Sequence, residues 1–114
     1  MPAQNLPAPY LAVCAIFRDE AAYLEEWVRF HQAVGVGHCY LYDNQSTDRP
    51  ESVLAPHVAA GQVTLIPWPT PWHQGAQRQA YADCLARARR QCRWLAFIDL
   101  DEFLFSPSGR PLPE

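Results

Sequence analysis

The stretch that most constrains this chain lies near its C-terminal end: Trp94-Leu95-Ala96-Phe97-Ile98-Asp99-Leu100-Asp101-Glu102-Phe103. Five apolar residues run directly into three carboxylates within four positions. An apolar run of this length without alternation reads as a strand covered on both faces, and the abrupt change marks where it leaves the sheet. Crowded acids repel one another unless a cation sits among them. Hard oxygen ligands of this kind suit Mg²⁺ or Mn²⁺, ions that bridge protein carboxylates to phosphate. The stretch therefore predicts a metal–diphosphate site at the end of a central strand.

Two further strand-like runs end the same way. Tyr10 to Phe17 runs into Arg18-Asp19-Glu20, and His38 to Tyr42 runs into Asp43 and, five residues on, Asp48. A third run, Val63 to Ile66, follows Gly61. Between the runs lie helical patterns. The first covers about Glu20 to Val34, with Tyr23, Trp27, Phe30 and Val34 at helical spacing and Leu24, Val28 and His31 broadening the stripe. Asp19 is placed to cap it, Glu25 and Arg29 to pair on its wet side, and Gly35 to end it. Asp48 and Glu51 have capping-box spacing for a short second helix, which Pro56 should end near Ala55. A third helix is expected from about Gln74 to Gln91, with Ala80, Tyr81, Cys84, Leu85 and Ala88 on one face and an Arg-rich C-terminal end. Before it, three prolines and two tryptophans between Pro67 and His73 make a stiff loop whose rings either line a pocket or cover a sheet end.

The order β-α-β-α-β-α-β with buried-type strands predicts an α/β fold built on a parallel sheet. Ligands of such sheets bind outside the carboxyl ends of the strands. Three of four strands here end in acids, so parallel pairing would gather them at one edge. Asp19 and Asp48 are largely explained as helix caps; Asp43, Asp99 and Asp101 are not. Neither G-x-G-x-x-G nor G-x-x-x-x-G-K-[ST] occurs, which excludes the Rossmann and P-loop routes to a nucleotide. A D-x-D at a strand end also opens phosphohydrolases of the haloacid-dehalogenase type. Here it comes late in the chain and continues as Glu-Phe-Leu, which fits that class poorly.

Composition sets the outer bounds. With 114 residues, 49% hydrophobic and 18% charged, the chain makes one small globular domain. A net charge of −3 and a pI near 5.7 argue against a general nucleic-acid or membrane-surface binder. Four cysteines without a C-x-x-C pair read as free thiols in a reducing compartment. Met1 to Pro9 lacks the features of a signal peptide, and no apolar run is long enough to cross a bilayer. The expected location is cytoplasmic. The expected layout is a lead-in over 1–9, a folded α/β unit over 10–105 and a Pro-rich tail over 106–114.

Four ordered blocks carry a family resemblance: Arg18-Asp19-Glu20 with Tyr23-Leu24-Glu25-Glu26-Trp27; Tyr42-Asp43-Asn44-x-Ser46-x-Asp48; Gln77-x-x-Ala80-Tyr81; and Trp94 to Phe103. Together, over roughly residues 10–105, they resemble glycosyltransferase family 92 and the family 2-like group. The resemblance implies the donor-binding half of a three-layer GT-A fold and a metal-dependent transfer of sugar from a nucleotide-sugar, usually a UDP-hexose, to an acceptor. It places Arg18, Glu20, Asp43, Asn44, Gln77, Arg78 and Asp99 on the nucleotide-sugar, and Asp99 and Asp101 on Mn²⁺ or Mg²⁺. Family members commonly carry Asn where Asp19 stands, and they continue past the D-x-D into an acceptor-binding half that holds the general base. This chain names no such base. The alternative to an active enzyme is a truncated, non-catalytic remnant or a nucleotide-binding subunit. On either reading the isolated chain is expected to turn over poorly, and a partner chain or self-association to cover the open sheet.

Overall fold

The structure, a computed structural model, describes residues 10–103; the expected lead-in and Pro-rich tail lie outside them. Its elements follow the predicted order: β1 (Leu11–Phe17), α1 (Ala21–Ala33), β2 (His38–Asp43), α2 (Pro50–Ala59), β3 (Val63–Pro67), α3 (Ala76–Ala88) and β4 (Trp94–Phe97). The four strands form one sheet in the order β3-β2-β1-β4, and every neighbouring pair is parallel.

β1 is central, and all seven of its residues are buried. Alternation divides them between two cores. Leu11, Val13, Ala15 and Phe17 join Leu24, Trp27 and Val28 of α1 and Leu54 of α2 on one face. Ala12, Cys14 and Ile16 meet Ala76, Ala80, Cys84 and Ala88 of α3 on the other. The α3 residues fall four apart and are all small, so the helix packs against the sheet on a narrow stripe. Leu85, expected on that face, is instead exposed, and Tyr81 is half-buried. A spacing of four selects a narrower strip than a general apolar face, and Leu85 falls outside it.

α1 buries Leu24, Trp27, Val28 and His31, while Tyr23 points away and is 61% exposed. The Arg29 guanidinium donates to Glu25 as expected, and Glu25 also meets His57 Nε2 at 2.8 Å. That second contact, with burial of Leu54 and His57, bears on the largest departure in the helices. α2 continues through Pro56 to Ala59 instead of stopping near Ala55. Proline removes one intrahelical donor, but the last turn is tied to α1 and closes with Ala60 N–H on the Pro56 carbonyl at 3.0 Å. Local propensity is overruled by tertiary packing.

Both expected capping roles are also reassigned. Asp19 has φ of 54°, and its carboxylate accepts from Thr47 N–H at 2.7 Å. Asp48 does not cap α2, whose N-cap Arg49 is left-handed and makes no side-chain cap bond. Its Oδ2 accepts instead from Ala21 N–H at the start of α1, at 2.9 Å. The two loops are thus laced together across 27 positions of sequence. The third helix starts later than expected. A single 3₁₀ turn, Trp72–Gln74, precedes Gly75, whose φ of +83° is a conformation that L side chains rarely adopt and that separates turn from helix.

β4 corrects the opening reading. Among the described residues it pairs only with β1 and is an edge strand, with Trp94 59% and Phe97 37% exposed. An unbroken apolar run does not reveal strand order, which the crossovers decide. Cys14, Cys39 and Cys84 are buried and Cys92 half-buried, all as free thiols. Among the described residues no helix is long and apolar enough to cross a membrane.

Candidate functional site

β1, β2 and β3 run in one direction across the sheet, and β4 then lies on the far side of β1. The switch point between β1 and β4 is where a parallel sheet opens a crevice at its carboxyl edge. A cavity of about 580 Å³ lies there, bounded by Ile16, Phe17, Arg18 and Glu20 after β1 and by Asp99, Leu100 and Asp101 after β4. Asn44, Trp72 and Gln77 close the remaining sides.

The acidic turn owes its shape to alternation and to its own third acid. Ile98 and Leu100 are buried in the α1-side core, so Asp99 and Asp101 face outward. Asp99 N–H donates to Glu102 Oε1 at 2.8 Å, and Glu102 N–H donates back to the Asp99 carbonyl at 3.0 Å. Glu102 therefore closes the turn and is not among the residues lining the cavity. The Trp27 indole N–H, on α1, donates to the Glu102 carbonyl at 3.0 Å. Phe103 is clamped beyond it, edge-on to Phe30 and stacked on His31.

The acids of this turn act on one another. Partial burial, and then the neighbouring Glu102 and Asp101 carboxylates, push the Asp99 carboxyl above its usual range. Gln77 Nε2, at the start of α3, lies 3.5 Å from Asp99 Oδ1 and also donates to the Tyr81 hydroxyl at 3.0 Å.

The other wall depends on Asn44, which is buried beside the cavity. Its amide donates to the backbone carbonyls of Trp68 and Thr70, at 2.9 and 2.8 Å, and so ties the Pro-rich loop to the end of β2. Its Oδ1 has no hydrogen-bond partner among the described residues. An unpaired buried carbonyl of this kind is costly. Trp68 packs edge-on against Tyr42, and Trp72 reaches the cavity. The loop thus does both things its composition suggested, with one ring for each.

Of the residues singled out from sequence, Arg18, Glu20, Asn44, Gln77, Asp99 and Asp101 line one cavity. Asp43 and Arg78 are not among its lining residues. Asp43 Oδ1 accepts from Ser46 N–H at 3.0 Å and shapes the loop that presents Asn44. Trp72 carries no motif of its own, and Trp27, though part of a family block and of the aromatic stripe on α1, gave no sign that its indole would reach across 75 residues.

Among the described residues no group of three or more histidines, cysteines or acids converges as a ready metal cage. Asp99 and Asp101 still suit a cation that keeps most of its coordination for water and phosphate oxygens, as Mg²⁺ does when it binds through one or two carboxylates. The donor set fits such an ion when a ligand completes the shell.

A parallel α/β domain with a carboxylate-lined crevice at its switch point is the class this geometry defines. The family model described as glycosyltransferase family 92 matches residues 10–114, and the chain belongs to that family. A family 92 protein from Oryza sativa subsp. japonica is 38% identical over 105 residues, covering 91% of this chain and 18% of the relative. One from Ricinus communis is 36% identical over 105 residues with the same coverage. One from Arabidopsis thaliana is 33% identical over 101 residues, covering 88% of this chain and 17% of the relative. The chain therefore spans less than a fifth of the length of these relatives.

Proposed function

We propose that this domain is the donor-binding part of a GT-A-type glycosyltransferase and holds a UDP-linked hexose with Mn²⁺ or Mg²⁺ at the carboxyl edge of its sheet. The observation that carries the reading is the convergence of Arg18, Glu20, Asn44, Gln77, Asp99 and Asp101 on one cavity at the β1–β4 switch point. Asp99 and Asp101 would hold the cation, and a cation there supplies Lewis-acid stabilisation of the departing diphosphate. The chain's own groups do the rest. Asn44 holds the Pro-rich loop that forms one wall, Trp72 offers the nucleobase an aromatic face, and Arg18 faces the negative charge of the phosphates. Gln77 orients Asp99 through its amide. Asp43 contributes by shaping the loop that carries Asn44.

Calorimetric titration with UDP and UDP-hexoses, with and without Mn²⁺, tests this on the wild-type chain and on Asp101→Ala. The expected result is metal-dependent binding that the substitution abolishes. Binding indifferent to both metal and substitution would remove the donor-site reading.

A further inference from the structure

The end of the molecule opposite the cavity carries a different chemistry. β1 and β4 begin side by side at the amino edge of the sheet, with Leu11 in register with Trp94, and the turn from α3 into β4 passes there. That turn holds Arg89, Arg90 and Arg93, all exposed. Leu85, Trp94 and Tyr10, each about half exposed, flank it. We propose that this edge is a docking surface for an anionic lipid bilayer. The proposal does not depend on what the cavity binds.

Charge is segregated along the strands. Among the described residues every acid except Asp83 lies at the carboxyl end of a strand, in the loop after it, or in the first half of the helix that follows. Asp83 is already engaged, accepting from the Tyr42 hydroxyl at 2.5 Å and from Arg87 Nε at 2.7 Å. Arg89, Arg90 and Arg93 form no ion pair among the described residues, so their charge acts outward. The helix dipole does not explain all three: its effect fades beyond the last turn, α3 ends at Ala88, and Arg93 stands next to β4. The net charge of −3 averages over both ends of the molecule and hides the basic one.

The aromatic residues favour lipid as the partner. The Trp94 indole N–H donates to the Tyr10 hydroxyl at 3.2 Å, and the Arg93 guanidinium lies 5.7 Å from the centre of the Tyr10 ring. With its polar atom partnered inside the protein, the indole enters a headgroup layer without stranding a donor. Trp and Tyr, apolar in body and polar at the tip, are the residues of membrane interfaces. The three arginines supply the attraction to acidic headgroups. A nucleic acid would need an open ring for base stacking, and Arg93 lies over that of Tyr10.

Docking by this edge also sets the orientation of the domain. The seven residues of β1 span roughly 20 Å at about 3.3 Å each, so the cavity at their far end stands that distance from the lipid and stays open to water.

The test is flotation of the full chain with phosphatidylcholine vesicles, with and without about one-third phosphatidylserine, at low and high salt. Expected is binding that requires phosphatidylserine and that high salt screens away. An arginine near an acidic surface is worth about fivefold, so the triple variant Arg89→Gln, Arg90→Gln, Arg93→Gln should bind roughly a hundredfold more weakly. Lipids brominated on their acyl chains should quench Trp94 emission, and Trp94→Phe should lose that quenching. Circular dichroism confirms that the variants fold, and the salt series reads the same charge on the wild type alone. No flotation, flotation indifferent to phosphatidylserine, or a triple variant that floats as the wild type does overturns the proposal. Flotation without quenching of Trp94 overturns it as well, and a DNA duplex bound through the same arginines would then name nucleic acid as the partner.

Discussion

The indole N–H of Trp27 donates to the backbone carbonyl of Glu102 at 3.0 Å, joining the middle of α1 to the acidic turn across 75 positions of sequence. The ring itself is fully buried, so the bond is held at the end of a rigid lever and fixes the turn that presents Asp99 and Asp101. Trp27→Phe keeps most of the ring and leaves the Glu102 carbonyl without its donor. Unfolding stability should fall by about 1–3 kcal/mol, and Mn²⁺-dependent UDP binding should weaken by up to about tenfold. Val28→Ala, in the same core, is the control: it should lower the urea midpoint without weakening binding. Equal binding losses in both variants would reduce the Trp27 contact to ordinary packing.

Asp48 caps α1 from a different loop, through Oδ2 on Ala21 N–H at 2.9 Å. Asp48→Ala should cost about 1 kcal/mol, the usual value of an N-cap acceptor, and Asp48→Asn clearly less because an acceptor oxygen remains. Thermal unfolding of the three proteins measures this. A loss confined to α2, seen as amide exchange rising there and not at Ala21–Tyr23, would return Asp48 to its own helix.

Asn44 holds the loop Trp68–Thr70 by two backbone carbonyls. Asn44→Ala removes both donors and should destabilise the domain by about 1–3 kcal/mol. Amide exchange should accelerate over residues 68–74, since the tether and the 3₁₀ turn beyond it depend on the same contact. A change below about 0.5 kcal/mol, the usual range for an indifferent surface site, would show the loop to be held by its prolines and the Trp68 packing alone.

Burial holds His31 below the ordinary histidine value, opposed by its hydrogen bond to the Trp27 carbonyl. His38 is lowered for the same reason, with a backbone bond at Gly61 opposing. Between their folded values and the ordinary value of 6.5 the unfolded chain binds more protons than the folded one. Stability is therefore complete above that value and falls as pH drops below it. Urea midpoints should decline between pH 7.5 and 5.5, and His31→Gln should flatten the slope. A midpoint that rises on acidification would contradict the burial of neutral imidazoles.

Much of the fold was legible because its signals are local. Apolar runs, helical spacing and the placement of Gly35 and Gly61 delimit strands and helices from short-range sterics and burial. The acids at three strand ends became informative once parallel pairing was inferred, and six of the eight residues singled out do line one cavity. The misreadings share a different cause. Asp19 and Asp48 have capping chemistry, yet each takes its partner from the other loop. Pro56 is a helix breaker by local rule, but contacts to α1 carry the helix past it. Asp43 was as acidic as its neighbours, and only the turn it makes with Ser46 shows where its oxygen is engaged.

The sequence by itself determined that this chain makes a parallel α/β unit, and it marked the D-x-D as the candidate place for chemistry, because period, polarity and steric punctuation act over a few residues. Tertiary structure alone decided that β4 lies at the sheet edge, that Asp99 and Asp101 face a cavity while Glu102 closes their turn, and that Trp27 holds that turn in place. Those outcomes depend on strand order and on contacts dozens of residues apart, where many pairings are chemically equivalent and only simultaneous packing of both sheet faces selects one.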